Sequence, residues 1–421
     1  MNDIHQRLAA LGLIVPEVLI PGAGVDISKW AVIACDQFTQ DRAYWETVQK
    51  AVGDDPSALR LIFPEVYLED DDKLQRIEII RQSMEDYLAN GIFAPPQQAL
   101  VYLERDTSLH QKRRGLIAAL DLEQYDWSPA ARPLIRATEG TVPERLPPRM
   151  DIRRGAPLET PHILVLIDDD TDSLLSALGE NAKRSRPVYQ SPLMMNSGAV
   201  SGWILPDAET WAALAESLEN LGRKANARYG VTDTVPFLYA VGDGNHSLAT
   251  ARAIWEEYKK AHSGEPELDQ HPCRYAMVEI ENLYDPAIQF EPIHRVLFGT
   301  DSSAVEGILK QLNGFRYSKK SERYFALQAD TAELATVSLQ PLLDELVKST
   351  GAVIDYIHGK GELSRLAANK AKPAICIELP PIKKSGLFET VAQSGPLPRK
   401  SFSMGEAAEK RFYLECRRLF G

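Results

Sequence analysis

Val235-Pro-Phe-Leu-Tyr-Ala-Val-Gly-Asp-Gly-Asn-His-Ser-Leu-Ala-Thr-Ala251 is the stretch whose reading decides the fold. The apolar run from Phe237 to Val241 predicts a strand, Asp243-Gly244 a turn, and the pattern from Ser247 to Trp255 a helix. A strand that passes through glycine straight into a helix presents backbone N–H groups and the positive end of a helix dipole to an anion. Gly242 and Gly244 are free to take positive φ and let a ligand approach the backbone. Asp243, Asn245, His246 and Ser247 add side chains able to hold a phosphate or move a proton. The plainer alternative is a structural turn capped by Ser247. It accounts for the glycines and the serine, but not for four chemically capable residues in one turn.

Working outward, the patterns predict a helix from Ile4 to Leu11, a buried strand from Trp30 to Cys35, and an amphipathic helix from Arg42 to Val52. Pro64–Leu68 reads as a short strand, and Asp71–Asn90 as a long helix closed by Gly91. Ala99–Leu103 and Arg114–Leu120 read as neighbouring strands. A proline-dense separator, Val142–Pro157, precedes a strand at His162–Ile167. The helical stretch Asp207–Tyr229 leads into the signature strand, and Cys273–Ile280 and Ile375–Leu379 are further strands. This alternation without strict strand–helix–strand periodicity favours an α+β (mixed α/β) fold, with mixed sheets and flanking helices. The expected regions are 1–150, 151–335 carrying the signature turn, and 336–421.

The 421 residues are 44% hydrophobic and 25% charged, a globular composition. Net charge is −12, and the arginines between Arg145 and Arg154 are interrupted by Pro147, Pro148 and Asp151, which argues against a nucleic-acid partner. The four cysteines are scattered and form no CxxC pair. The N-terminus lacks a signal-like apolar core, and no apolar run approaches the ~20 residues of a membrane span. The expectation is a cytoplasmic protein without a membrane partner, its oligomeric state left open.

Five other polar clusters bear on chemistry. Asp36 follows a buried strand, where it suits a base or cation ligand, or equally a helix cap. Arg136-Ala-Thr-Glu-Gly-Thr141, with Arg145 and Arg149, suits a pocket for a phosphorylated or zwitterionic molecule, or a solvated loop. Asp168-Asp-Asp170 suits Mg²⁺ or a helix start. His294-Arg295 and the loop bearing Arg399, Lys400, Ser401 and Ser403 suit phosphate contacts or plain structural roles. HExxH, GxSxG, GxGxxG and the kinase signatures are absent, so zinc hydrolysis, serine hydrolysis and NAD chemistry are poorly supported.

Asp243–Ala251, DGNHSLATA, resembles the DGHHRxETA-type signature of a bacterial and archaeal group known as domain of unknown function 1015. Val25–Trp45, Leu61–Leu68, Arg136–Arg149, Glu291–Leu297 and Leu397–Arg411 match the same group in order. The signature also resembles the phosphate-binding GxHR-type motif of the ParB/sulfiredoxin superfamily, which includes kinases of free serine. That resemblance implies a phosphate-binding strand–turn–helix, with Gly244 and His246 at the matching positions and Ser247 where an arginine is usual. Arg252, Arg295 or Lys400 would then supply the missing charge. The resulting expectation is a nucleotide-dependent phosphotransferase using ATP or ADP and Mg²⁺ on a small polar, serine-like metabolite. Asp243, Gly244, Asn245, His246, Ser247, Arg295 and Lys400 would hold the cofactor, and Arg136 or Arg145 the acceptor carboxylate. Glu139, Asp36 and His246 would serve catalysis. A non-catalytic nucleotide or metabolite sensor and a nucleotide phosphohydrolase are the alternatives.

Overall fold

The apolar runs around Leu100 and Leu116 pair antiparallel, and they form the middle of the larger sheet. The computed structural model describes residues 2–107, 112–329, 335–371 and 373–420. The chain divides into two compact units. The first is Met1–Ala137, Thr141–Ile288 and Glu406–Gly421; the second is Thr138–Gly140 and Gln289–Gly405. The sheet of the first unit takes strands from both sides of residue 150, and the end of the chain returns to that unit.

In the first unit the principal strands are β1 (Leu100–Asp106), β2 (Arg113–Asp121), β3 (Ile135–Ala137), β4 (Leu164–Ile167), β5 (Tyr189–Pro192), β6 (Ala199–Leu205), β7 (Tyr239–Asp243) and β8 (Tyr275–Asn282). They lie in the order β5-β6-β1-β2-β8-β4-β7-β3. Tyr125–Asp126 beside β3 and Leu13–Ile14 beside β2 bring the described strands to ten. β8 is parallel to β4 but antiparallel to β2, and β7 is antiparallel to β4 but parallel to β3, so the sheet is mixed.

Both faces are covered, which explains why the central strands are nearly continuous apolar runs. One face, with Leu116, Ala118, Val278 and Ile280, packs against helices α2 (Ser173–Ala182), α3 (Ala208–Tyr229) and α4 (Asn245–Ala261). The other, with Val101, Leu103, Ile117 and Met277, packs against helices Arg42–Val52 and Lys73–Ala89 and the segment Phe412–Cys416. Among the described residues, no helix is long and apolar enough to cross a membrane.

Three local expectations are corrected. Trp30 closes a short helix, Ile27–Trp30, and Ala31–Ala34 is buried and extended but is no sheet strand. Ala34 donates to the Arg411 carbonyl and Tyr413 to the Val32 carbonyl, both at 2.8 Å, with one bridge from Ile33 to Phe412. Glu65–Tyr67 is a 3₁₀ turn. The proline-dense separator contains a helix, α1 (Leu146–Arg153), because Pro147 and Pro148 fall in its first turn, where no backbone donor is needed.

In the second unit β9 (Phe290–Phe298), β10 (Phe315–Ser321), β11 (Tyr324–Ala329), β12 (Val353–His358) and β13 (Ala374–Glu378) lie in the order β10-β11-β13-β9-β12, with β14 (Phe402–Met404) beside β9. Leu297, Phe325, Ile375 and Ile377 form its core with Leu339 and Leu343 of helix Ala335–Thr350.

A charged stripe interrupts the apolar second face of the larger sheet. Glu279 and Glu281 of β8 are both buried. Arg411 lies 2.5 Å from Glu279, and Arg113 lies 2.7 Å from Glu281. Gly115 makes the room, since a Cβ there would stand 2.2 Å from the Glu279 carboxylate. Burial pushes the Glu281 carboxyl well above its usual range; Arg113 opposes this and the neighbouring Glu279 charge reinforces it. Burial also raises Glu279, but Arg411 and Arg113 outweigh it and hold that carboxyl low.

Burial thus favours the protonated form of Glu281, while the arginines favour the ionised form of Glu279. Glu281→Gln is expected to lie within about 1 kcal/mol of wild type in urea denaturation. Glu279→Gln removes one of the two buried carboxylates that pair with Arg411 and is expected to cost about 3 kcal/mol. Because folding raises the Glu281 value, the native state binds more protons, and stability falls as pH rises above the ordinary 4.5. The Glu281→Gln variant should lose that part of the slope.

Candidate functional site

One residue separates β7 from α4. Gly244, at φ +79°, is the N-cap, and a Cβ there would lie 3.1 Å from the Ile163 Cα. Both the left-handed backbone and the close approach require glycine. Gly242 stays in the strand instead, where the pairing with β4 shifts register between Val241 and Asp243. Such a bulge re-aims a strand end.

The helix begins at Asn245, two residues before the apolar pattern predicts, and no side chain caps it. Ser247 is therefore not the cap. It lies in the first turn, with its hydroxyl 2.7 Å from His162 Nε2. Asn245 donates to the Val241 carbonyl at 3.4 Å, and His246 Nε2 accepts from the Val142 amide at 3.3 Å.

His162 lies two residues before β4, and its Nδ1 is 2.8 Å from the Tyr413 hydroxyl. That hydroxyl accepts from the Cys35 amide at 3.1 Å. Burial raises the neighbouring Asp36 carboxyl, but the facing His162, the Gln37 amide at 3.0 Å and Lys410 outweigh it, so Asp36 stays below the usual carboxylate range. Lys410 reaches Asp243 at 3.1 Å. Glu65 is gripped by Arg149 of α1 at 2.8 and 2.6 Å; burial still lifts its carboxyl, against the pull of Arg149. Burial pushes the Cys35 thiol far up, so it remains protonated.

Asp36, Asp243 and Ser247 are thus drawn together through His162 and Lys410. Asp36 is no helix cap, because Asp41 caps Arg42–Val52 through the Tyr44 amide at 3.0 Å. Arg136 is committed elsewhere: it is 3% exposed, pairs with Asp233 at 2.6 Å, donates to the Pro133 carbonyl at 3.0 Å and lies over the Phe237 ring. Its charge is already balanced, unlike the free fork expected for an acceptor carboxylate. Arg145 is exposed, on the turn before α1. Arg252 is held by the Leu122 carbonyl and Glu256, each at 2.5 Å.

Glu139, Arg295 and Lys400 belong to the second unit. Arg295 is buried on β9, donating to Gln340 at 2.7 Å and to the Lys400 carbonyl at 2.9 Å. Burial pushes it down to about 10, against the nearby Tyr356, Glu139 and Asp344.

The acidic run has ion-pair and helix-start partners. Asp168 pairs with Arg228 at 3.0 Å and Asp170 pairs with it at 3.2 Å, while Asp169 accepts from the Leu174 amide at 2.9 Å at the start of α2. These residues line a cavity of about 340 Å³ with Lys224 and Phe237. Among the described residues, no group of three His, Cys, Asp or Glu is arranged to hold a metal.

Sequence reasoning missed His162, Lys410 and Tyr413. His162 opened an apolar strand as its one polar residue, and Lys410 lay inside a matching segment; neither signal carries a partner.

The sequence profile of the family described as "Protein of unknown function (DUF1015)" matches residues 19–371. The chain belongs to this family. No curated protein matches this DUF1015 chain. Among solved structures it is similar to a free serine kinase in complex with AMP, with TM-score 0.36 and 11% identity over 71% of this chain and 90% of that one. A mutant of a free serine kinase with ADP gives TM-score 0.35 and 12% identity over 71% and 91%. A conserved hypothetical protein from Pyrococcus furiosus gives TM-score 0.33 and 12% identity over 71% and 90%.

Gly244→Ala forces a left-handed alanine against Ile163. It is expected to cost about 1–3 kcal/mol in chemical denaturation.

Proposed function

We propose that this DUF1015 protein binds a nucleotide by its phosphates at the Gly244 turn and transfers a phosphoryl group to the hydroxyl of a small polar, serine-like metabolite. One observation carries the reading: the Ser247 hydroxyl and the Asp243 carboxylate at this turn are tied to His162 and Lys410, beside an ionised Asp36. A helix start with nearby cationic groups favours a phosphate anion. Gly244, Asn245, His246 and Ser247 form the cradle. Lys410 takes the charge-supplying role that the sequence assigned to Arg252, Arg295 or Lys400.

In the transfer, the acceptor oxygen bonds to the terminal phosphorus and the bond to the bridging oxygen breaks. The nucleotide leaves one phosphate shorter, and the hydroxyl proton passes to Asp36. The low pKa of Asp36 keeps it ready to accept that proton but makes it a weak base, which suits late proton transfer. The exposed Arg145 is available for the acceptor carboxylate.

The test pairs thermal shift with product assay, using ATP and ADP with and without Mg²⁺, and serine as first acceptor. Bound at ~100 times its Kd, a nucleotide adds about 2.7 kcal/mol and raises Tm. Asp36→Asn is expected to keep that shift while transfer falls about 10²–10⁴-fold. Phosphate release that no acceptor accelerates makes the protein a hydrolase, and binding without product makes it a sensor. Absence of any nucleotide shift in wild type sinks the proposal.

A further inference from the structure

The backbone amide of Cys35 is a donor only, so it fixes the polarity of the contacts that follow. Its partner, the Tyr413 oxygen at 3.1 Å, must accept. The Tyr413 proton is then left for another acceptor, and burial keeps it on the oxygen by pushing the phenol well above its usual range. Two acceptors are within reach: the Cys35 sulfur, and His162 Nδ1 at 2.8 Å. A thiol sulfur is a weak acceptor and an imidazole nitrogen a strong one, so the proton goes to His162. With Nδ1 accepting, the neutral ring carries its hydrogen on Nε2 and donates it to Ser247 Oγ, 2.7 Å away. The Ser247 hydroxyl, having accepted from His162, has its own hydrogen left to give. It is on the first turn of α4.

We infer that Cys35 N–H, Tyr413, His162 and Ser247 form a one-way hydrogen-bond relay that makes Ser247 a dedicated donor to a phosphate oxygen. This rests on the phosphate-binding reading of the turn and deepens it. The relay stands where the related motif has an arginine, replacing a fixed charge with a directed hydroxyl. The hydrogen that Ser247 keeps suits an acceptor such as an ionised phosphate, while the second lone pair of its oxygen stays open. His162 and Tyr413 are positioning residues, since both act through Ser247. The same polarity excludes Ser247 as a nucleophile, because a nucleophilic serine must donate its proton to the histidine.

The test is a double-mutant cycle read by calorimetric binding of ADP, and of pyrophosphate, to the full chain. Ser247→Ala and Tyr413→Phe are each expected to weaken binding about tenfold. If Tyr413 acts through Ser247, the double variant is no weaker than Ser247→Ala alone; independent tenfold losses that multiply overturn the relay. A second measurement needs no variant. Nitrogen-15 NMR of His162 in wild type, at about pH 8 where a histidine is neutral, should show the hydrogen on Nε2. A hydrogen on Nδ1 overturns the inference even if ADP binds. If wild type binds neither probe, the phosphate-binding reading fails first and the relay falls with it. Binding of pyrophosphate equal to that of ADP locates recognition in the phosphates, while tight ADP and no pyrophosphate binding overturns the assignment of Ser247 as the principal donor.

Discussion

The buried ion pair between Arg411 and Glu279 is the constraint on which the site depends. Arg411 reaches Glu279 at 2.5 Å, pairs with Glu415 as well, and donates to the Pro161 carbonyl at 3.0 Å. These contacts hold a segment from the end of the chain against β8 and against the residue preceding His162. Lys410 and Tyr413 flank that anchor, and they are the groups that meet Asp243 and His162. Taking so many charges out of water costs several kcal/mol per ion, and their mutual attraction does little more than offset it. The gain is positional: one geometry satisfies the buried charges, and that geometry sets two side chains of the site.

The same economy shapes the turn. A left-handed Gly244, a bulge at Gly242 and the contact with Ile163 bring the strand end and helix start together. Polar side chains near it have defined partners: Asp243 with Lys410, Ser247 with His162, and His246 with the Val142 amide. Fixed donors and charges of this kind lose little reorganisation energy when an anion arrives. Arg136 and Asp168 are paired instead with Asp233 and Arg228; perturbed or buried charge by itself does not mark a site.

Much of the fold was legible in the sequence. The helix from Lys73 to Ala89, the helix capped by Asp207 and the strands around Leu100, Leu116 and Ile375 follow from local periodicity and capping. The misreadings share a cause. Ala31–Ala34 is as apolar as a strand because it is buried, but Val32 and Ala34 bond to the segment around Arg411, a partner no local pattern can name. Pro147 and Pro148 read as breakers, although a helix tolerates proline in its first turn.

For function, the sequence by itself determined the turn: glycine, polar residues and the change of period from strand to helix are short-range facts. It also brought Asp36 and Ser247 forward as chemically capable. Only the tertiary structure decided what those residues meet. Ser247 and His162 are separated by 85 positions and Tyr413 and His162 by 251, and Lys410 reaches Asp243 from the end of the chain. Side-chain identity is encoded locally, whereas a hydrogen-bond partner depends on which distant segments the sheet and its buried charges bring within 3 Å.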